Sequence, residues 1–211
     1  MVSNIDFHLK GVGKKFYQNW LFKEVSFEAK ENEKILVQGG NGTGKSTLLR
    51  IIAGQLRPNY GQTIFKIDGR LIPLSQRYQH ISWSGPNISL FPDLSCSKQL
   101  ALHFKFAQNL LGNEEAILHK LNLQEHAHKS LRDFSSGMLQ RFMVGLALFS
   151  HTRMILLDEP TSNMDNENAK FILNLIETYR EYRILVIASN LTRDFLGESP
   201  GIVLDNSFSN D

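Results

Sequence analysis

The sequence predicts an α/β protein whose core is a parallel β-sheet covered by helices on both faces, with a helical segment inserted in the middle of the chain. Three observations predict it. Strand-length apolar runs alternate with segments of helical period, a glycine-rich turn stands between one such run and one such segment, and residues 95–130 carry helical period alone. The apolar runs are continuous rather than alternating, as in strands buried on both faces, and parallel sheets place strands in that environment. A chain of 211 residues with 42% apolar content can bury a sizeable core.

Taken in order, residues 21–29 read as a strand and residues 34–38 as a short apolar run ending in the glycine-rich segment 39–44. From 45 to 55 the spacing of Leu48, Leu49 and Ile52 is helical and stops at Gly54. Arg57-Pro58-Asn59-Tyr60-Gly61 has turn composition, residues 62–67 alternate as a strand, and 81–83 form another. In the middle segment Leu100, Phe104 and Leu111 share one face, and Ile117, Leu118 and Leu121 another. The remainder returns to alternation: helix 136–149, strand 154–157, helix 166–182, strand 184–188, a helix 191–196 and a last apolar run 202–204.

The net charge of +2 gives no nucleic-acid footprint, so any affinity for phosphate must be local. The single cysteine, Cys96, has no Cys/His cluster beside it and reads as a half-buried packing residue of a reducing compartment. Residues 1–20 mix Asp6, His8, Lys10, Lys14 and Lys15 among apolar residues, so no export signal is expected there. Apolar runs are all too short to span a membrane, so if a membrane is involved another chain crosses it.

The strongest chemical signal is Gly39-Gly40-Asn41-Gly42-Thr43-Gly44-Lys45-Ser46, which satisfies G-x-x-x-x-G-K-[ST]. Its glycines allow successive N–H groups to turn inward, and the helix that follows offers its N-terminal dipole to the same anion. Lys45 would reach the β- and γ-phosphates and Ser46 would offer its hydroxyl to Mg2+. Such a match arises by accident in roughly one chain in a hundred of this size. A second half-site is Met154-Ile155-Leu156-Leu157-Asp158-Glu159: a buried strand ending at Asp158 would place a carboxylate beside the Mg2+ held by Ser46, and Glu159 would take a proton from attacking water. Alone, an apolar run ending in Asp-Glu more often meets solvent than a metal.

Between these two stands Phe134-Ser135-Ser136-Gly137-Met138-Leu139-Gln140-Arg141, which resembles the LSGGQ-type signature of ABC transporter ATP-binding cassettes. Its plainer reading is a helix capped by serine. Thr47-Leu48-Leu49, Ile52-Ala53-Gly54, Leu157-Asp158-Glu159-Pro160-Thr161-Ser162 and the D-loop-like Ser162-Asn163-Met164-Asp165 extend the resemblance over nearly the whole chain. Lys15-Phe16-Tyr17 is similar to the A-loop, where a ring stacks on adenine; Phe16 is the first choice and Tyr17 the alternative. The resemblance implies a P-loop NTPase fold with a parallel-sheet core, an N-terminal antiparallel β part and an inserted α-helical subdomain. It implies one ABC ATPase domain over 1–211, with 1–83 and 136–211 as ATP-binding core and about 84–135 as helical subdomain.

For the site it implies Glu159, Lys45 and Asn190 as catalytic residues and Ser46 and Asp158 as ligands of Mg2+. Contacts to ATP would come from Phe16, Gly39, Asn41, Gly42, Thr43, Gly44, Lys45, Ser46 and Thr47. Ser135, Ser136, Gly137 and Asp165 would act across a dimer of cassettes. Two positions depart from the family pattern. Pro86 stands where a glutamine is usual, with Asn87 beside it as a shorter substitute, and Asn190 replaces the switch histidine. The implied function is ATP binding and hydrolysis that drives cassette dimerisation and powers transmembrane permease subunits, at the cytoplasmic face of the membrane. A nucleotide-gated clamp with little turnover and a non-transport ABC-type ATPase are the alternatives.

Overall fold

The computed structural model describes residues 4–86, 88–162, 164–180, 182–191, 194 and 201–205. Near the N-terminus β1 (Ile5–Phe16) and β2 (Asn19–Lys30) form an antiparallel hairpin. With β4 (Tyr60–Ile67) and β5 (Arg70–Leu71) they make a sheet in the order β2-β1-β4-β5. In β1 the alternate residues Ile5, Phe7 and Leu9 are buried, as period 2 requires. The strand escapes a reading from sequence because its register shifts between Leu9 and Val12 and twice more before Phe16, which breaks the alternation.

The second sheet is parallel and has the order β6-β7-β8-β3-β9: β6 is Ile81–Ser84, β7 Met154–Asp158, β8 Ile184–Ser189, β3 Lys34–Gly39 and β9 Gly201–Leu204. Its two faces bury alternate side chains in two cores. Leu156, Val186 and Val37 face α1 (Lys45–Ile52) and the antiparallel sheet. Ile155, Leu157, Leu185 and Ile187 face α4 (Ser136–Phe149) and α5 (Asn166–Tyr179). That two-sided burial is why these strands read as unbroken apolar runs, and it bears out the expected α/β architecture.

The inserted helical part holds α2 (Cys96–Phe104) and α3 (Glu114–Lys120), capped by the Ser95 hydroxyl and the Asn113 amide oxygen. It packs into the α4 and α5 core through Leu100, Ile117 and Leu121. Leu111 is not on a helix with Leu100 and Phe104. The chain leaves helix after Phe104, and the Asn109 side chain accepts from the Leu111 N–H at 2.9 Å, a local turn that competes with helix. Helix α5 ends at Tyr179, short of residue 182, and α1 ends at Ile52. Of the expected helix 191–196 only Leu191 and Asp194 lie among the described residues.

Gly61 sits where β4 passes closest to β1. Its φ is +76°, and a β-carbon there would lie 2.4 Å from the carbonyl oxygens of both Lys10 and Gly11. Gly69 has a similar φ of +74° in open space. Gly61→Ala is therefore expected to cost clearly more stability than Gly69→Ala, by about 1–3 kcal/mol beyond the shared backbone strain. At about 2–4 °C per kcal/mol for a chain of this size, the difference is measurable by thermal unfolding. Equal melting temperatures would show that β1 gives way.

Candidate functional site

The parallel register brings three strand ends together. Gln38 of β3 pairs with Ser189 of β8, and Asp158 of β7 pairs with Ala188. The chain leaves β3 through Gly40–Gly44 and enters α1, so the N-terminus of that helix faces the ends of β7 and β8. Gly44 sits at the helix cap with φ of +101°, where a β-carbon would strike Leu21 Cγ at 2.6 Å and the Phe22 ring at 2.9 Å. Strand β2 thus presses on the loop from behind and admits only glycine. Gly42 has φ of +82° and open space around it. Thr43 is buried and its hydroxyl donates to Gly40 O at 3.0 Å, which ties the loop to itself. Gly39 lies behind the loop, packed against Thr43 and the Leu204 carbonyl.

Lys45 is buried, and its Nζ donates to Gly39 O at 2.9 Å and Gly40 O at 3.1 Å. The same ammonium lies 3.2 Å from Glu159 Oε1. Glu159 is held in a left-handed backbone conformation, φ +51°, that non-glycine residues seldom adopt. Its N–H donates to Ala188 O at 2.8 Å, and Gln140 of α4 donates to its carbonyl at 3.1 Å and to Pro160 O at 3.2 Å. On the side chain, Oε2 is 3.1 Å from Ser189 Oγ and 3.4 Å from the Asn190 N–H.

Asp158 is 2% exposed. Burial pushes its carboxyl above the usual carboxylate range, with the Glu159 charge adding to the effect; a hydrogen bond from Ser46 and the charges of Lys45 and Arg50 oppose it. One oxygen, Oδ2, is buried with no hydrogen-bond partner. A buried carboxylate oxygen beside a hydroxyl is a donor set of hard oxygens, the kind Mg2+ takes. Above it the chain passes tightly: a β-carbon on Gly85 would lie 2.8 Å from Asp158 Cβ.

These groups line one cavity of about 360 Å3, which gathers Phe16, Asn41, Gly42, Gly44, Lys45, Ser46, Thr47, Pro86, Asp158 and Glu159. Phe16 is half exposed at its mouth and also borders a neighbouring cavity with Arg50 and Trp83, whereas Tyr17 is 98% exposed and borders neither. Asn190 stands at the rim, its amide donating to Asn41 Oδ1 at 3.2 Å. Pro86 faces the cavity without a polar side chain, and Asn87 lies outside the described residues, as does Asn163. Ser135, Ser136, Gly137 and Asp165 do not line this cavity. Ser135 caps α4 through the Met138 N–H, Asp165 caps α5 through the Asn168 N–H, and the space around Gly137 is open.

Sequence reasoning missed four contributors: Gln140, Thr161, Ser189 and Asp194. The first three stand inside or beside recognisable motifs, but no pattern of spacing tells that their side chains converge on the residues around Glu159. Asp194 had no signal at all.

A buried carboxylate with a raised pKa opposes folding at neutral pH. The neutral form is the one the folded state prefers, so the penalty is full above the folded pKa and fades as pH falls toward the unfolded value. Asp158→Asn is accordingly expected to raise the melting temperature at pH 7, by about 2–4 °C for each kcal/mol relieved. The gain should shrink as pH is lowered through the carboxylate range. A variant less stable than wild type at pH 7 would mean the carboxylate is better solvated than its burial indicates.

The sequence pattern of the ABC transporter family matches residues 22–162. The spermidine/putrescine import ATP-binding protein PotA of Protochlamydia amoebophila is 33% identical over 193 residues, 89% of this chain and 51% of that protein. The molybdate/tungstate import ATP-binding protein WtpC of Pyrococcus horikoshii is 26% identical over 90% of this chain and 57% of its own. The chain thus spans about half the length of these relatives. Among solved structures, a bacterial Atm1-family ABC exporter with ATP bound superposes with a TM-score of 0.82 over 98% of this chain and 38% of its own, at 18% identity. An ABC transporter ATP-binding protein from Pyrococcus furiosus does so at 0.80 over 97% of this chain and all of its own, at 20% identity. At those identities the superpositions speak for the P-loop fold alone. The family match, together with a complete phosphate loop and its facing carboxylates, places the chain in the ABC transporter family as an ATP-binding cassette.

Proposed function

We propose that this chain is the ATP-hydrolysing motor of a transporter, working as a dimer of cassettes that drives transmembrane permease subunits from the cytoplasmic face. The convergence of Lys45, Asp158, Glu159 and Phe16 on one cavity carries the reading. The inward N–H groups of the loop and the α1 dipole would receive the phosphates. Phe16 would stack on adenine, and the γ-phosphate would compete with Glu159 for the Lys45 ammonium. Glu159, freed from that pair, would take the proton of the attacking water. Asp158 Oδ2 and the Ser46 hydroxyl would hold Mg2+, which when bound offsets phosphate charge.

The serine-capped, exposed N-terminus of α4 supports an arrangement in which Ser135, Ser136 and Gly137 face the nucleotide of a second cassette, with Asp165 near the junction. Among the described residues no helix is long and apolar enough to cross a membrane, so a permease would supply the spanning segments. The PotA and WtpC relatives are import ATP-binding proteins, which supports a transport role for this chain. Residues about 84–135 would form the surface that meets the permease.

A second reading, a clamp that binds ATP and dimerises with little turnover, draws on Pro86 and Asn190, neither of which can protonate or move a charge. Glu159→Gln decides between them. In the motor reading it leaves ATP binding intact and traps an ATP-dependent dimer, seen by size-exclusion chromatography with ATP and Mg2+, while wild type returns to monomer as ATP is consumed. Identical behaviour of variant and wild type would favour the clamp.

Ring stacking on a base is worth about 1–3 kcal/mol, so Phe16→Ala is expected to weaken binding of a non-hydrolysable ATP analogue by about 5- to 150-fold. Tyr17→Ala, which alters an exposed ring outside the cavity, should bind like wild type. Calorimetric titration of both separates the two candidates, and the opposite result would move the adenine to Tyr17.

A further inference from the structure

The acid Asp194 lies outside every motif, yet it is 1% exposed and joined to the catalytic loop from two sides. Its Oδ1 accepts from the Thr161 hydroxyl, two residues beyond Glu159, and its Oδ2 is 2.5 Å from Ser189 Oγ. Thr161 and Ser189 are both fully buried. Ser189 Oγ also accepts from the Leu191 N–H at 3.0 Å and stands 3.1 Å from Glu159 Oε2. A hydroxyl has one hydrogen, so two carboxylates compete for the single proton that Ser189 can donate.

The outcome of that competition matters to the base. If Ser189 donates to Glu159, it takes up a lone pair of Oε2 and weakens the carboxylate as the acceptor of the proton from the attacking water. If it donates to Asp194, Glu159 Oε2 keeps that lone pair. The geometry favours Asp194, whose contact with the hydroxyl is the shorter of the two.

We propose that Asp194 is a positioning residue for hydrolysis: it draws the Ser189 hydrogen to itself and, anchored by Thr161, leaves Glu159 available as the base. The inference rests on the role given above to Glu159. In the step it serves, the water oxygen bonds to the γ-phosphorus as its O–H bond breaks. The proton passes to Glu159, and the electron pair of the broken P–O bond leaves with ADP. Asp194 touches none of these atoms.

The test compares Asp194→Ala, Ser189→Ala and the double variant in whichever assembly turns over, by steady-state phosphate release, with affinity for a non-hydrolysable ATP analogue and melting temperature alongside. Asp194→Ala is expected to slow turnover about 10-fold or more while the analogue binds within about twofold of wild type. Removing the Ser189 hydroxyl from that variant should then speed it up, to the rate of Ser189→Ala alone, because the hydroxyl that would otherwise donate to Glu159 Oε2 is gone. A double variant slower than Asp194→Ala would overturn the proposal in favour of a packing role, and so would wild-type turnover in Asp194→Ala. Should the alanine variant not fold, Asp194→Asn keeps the volume and carries the same comparison with and without Ser189→Ala. Glu159→Gln separates the two levels: if it turns over normally the base assignment fails, whereas if it is inactive a normal Asp194→Ala overturns only the role of Asp194.

Discussion

The pairing of β3 with β8 and of β8 with β7 is the constraint on which the rest of the site depends. It aligns Gln38 with Ser189 and Asp158 with Ala188, so the phosphate loop, the two carboxylates and the end of β8 emerge at one edge. Parallel strands with crossovers on both faces place their carboxyl ends on one side, and the crevice there is where open α/β sheets bind ligands. A slip of one residue in either ladder would turn Asp158 into an apolar core and carry Glu159 away from Lys45. The apolar side chains on both faces of these strands therefore fix the chemistry as well as the fold.

At that edge the protein buries charge it could not hold by packing alone. Asp158 and Glu159 are adjacent acids, the first almost wholly buried, and Lys45 is the cation nearest both. Such a cluster is a local cost to stability, offset by the two cores beneath it. The strained backbone of Glu159 is of the same kind. It is held by Ala188 from one side and Gln140 from the other, so the helix that carries the Ser135 cap is mechanically tied to the residue proposed as the base. A shift of α4 would be felt at Glu159 directly.

Much of this was legible in the sequence, for physical reasons. Buried parallel strands need continuous apolar runs, and a phosphate loop needs glycine at the left-handed positions 42 and 44, so both leave patterns. Strand β1 left a broken one, because its bulges interrupt the alternation. Leu111 misled, since a side chain can pack on a core from a turn as well as from a helix. The sequence put Phe16 ahead of Tyr17 without deciding between two adjacent aromatics; in the fold Phe16 closes the β1–β2 hairpin opposite Asn19 and borders the cavity, while Tyr17 stands in solvent. Asp194 was invisible, because a single buried acid has no period, and nothing in the sequence tells that Thr161, 33 residues away, and Ser189, five away, both meet it.

Of all the groups at the edge, Lys45 is the one that the loop carbonyls, the buried acids and an incoming phosphate all address. Its removal tests the central claim most directly. Titration of Lys45→Ala with a non-hydrolysable ATP analogue and Mg2+, beside wild type, should show affinity lost at micromolar nucleotide in a variant that circular dichroism shows to be folded. Unchanged affinity in a folded variant would contradict the account, because the cavity closed by Lys45 would not then be where the phosphates bind.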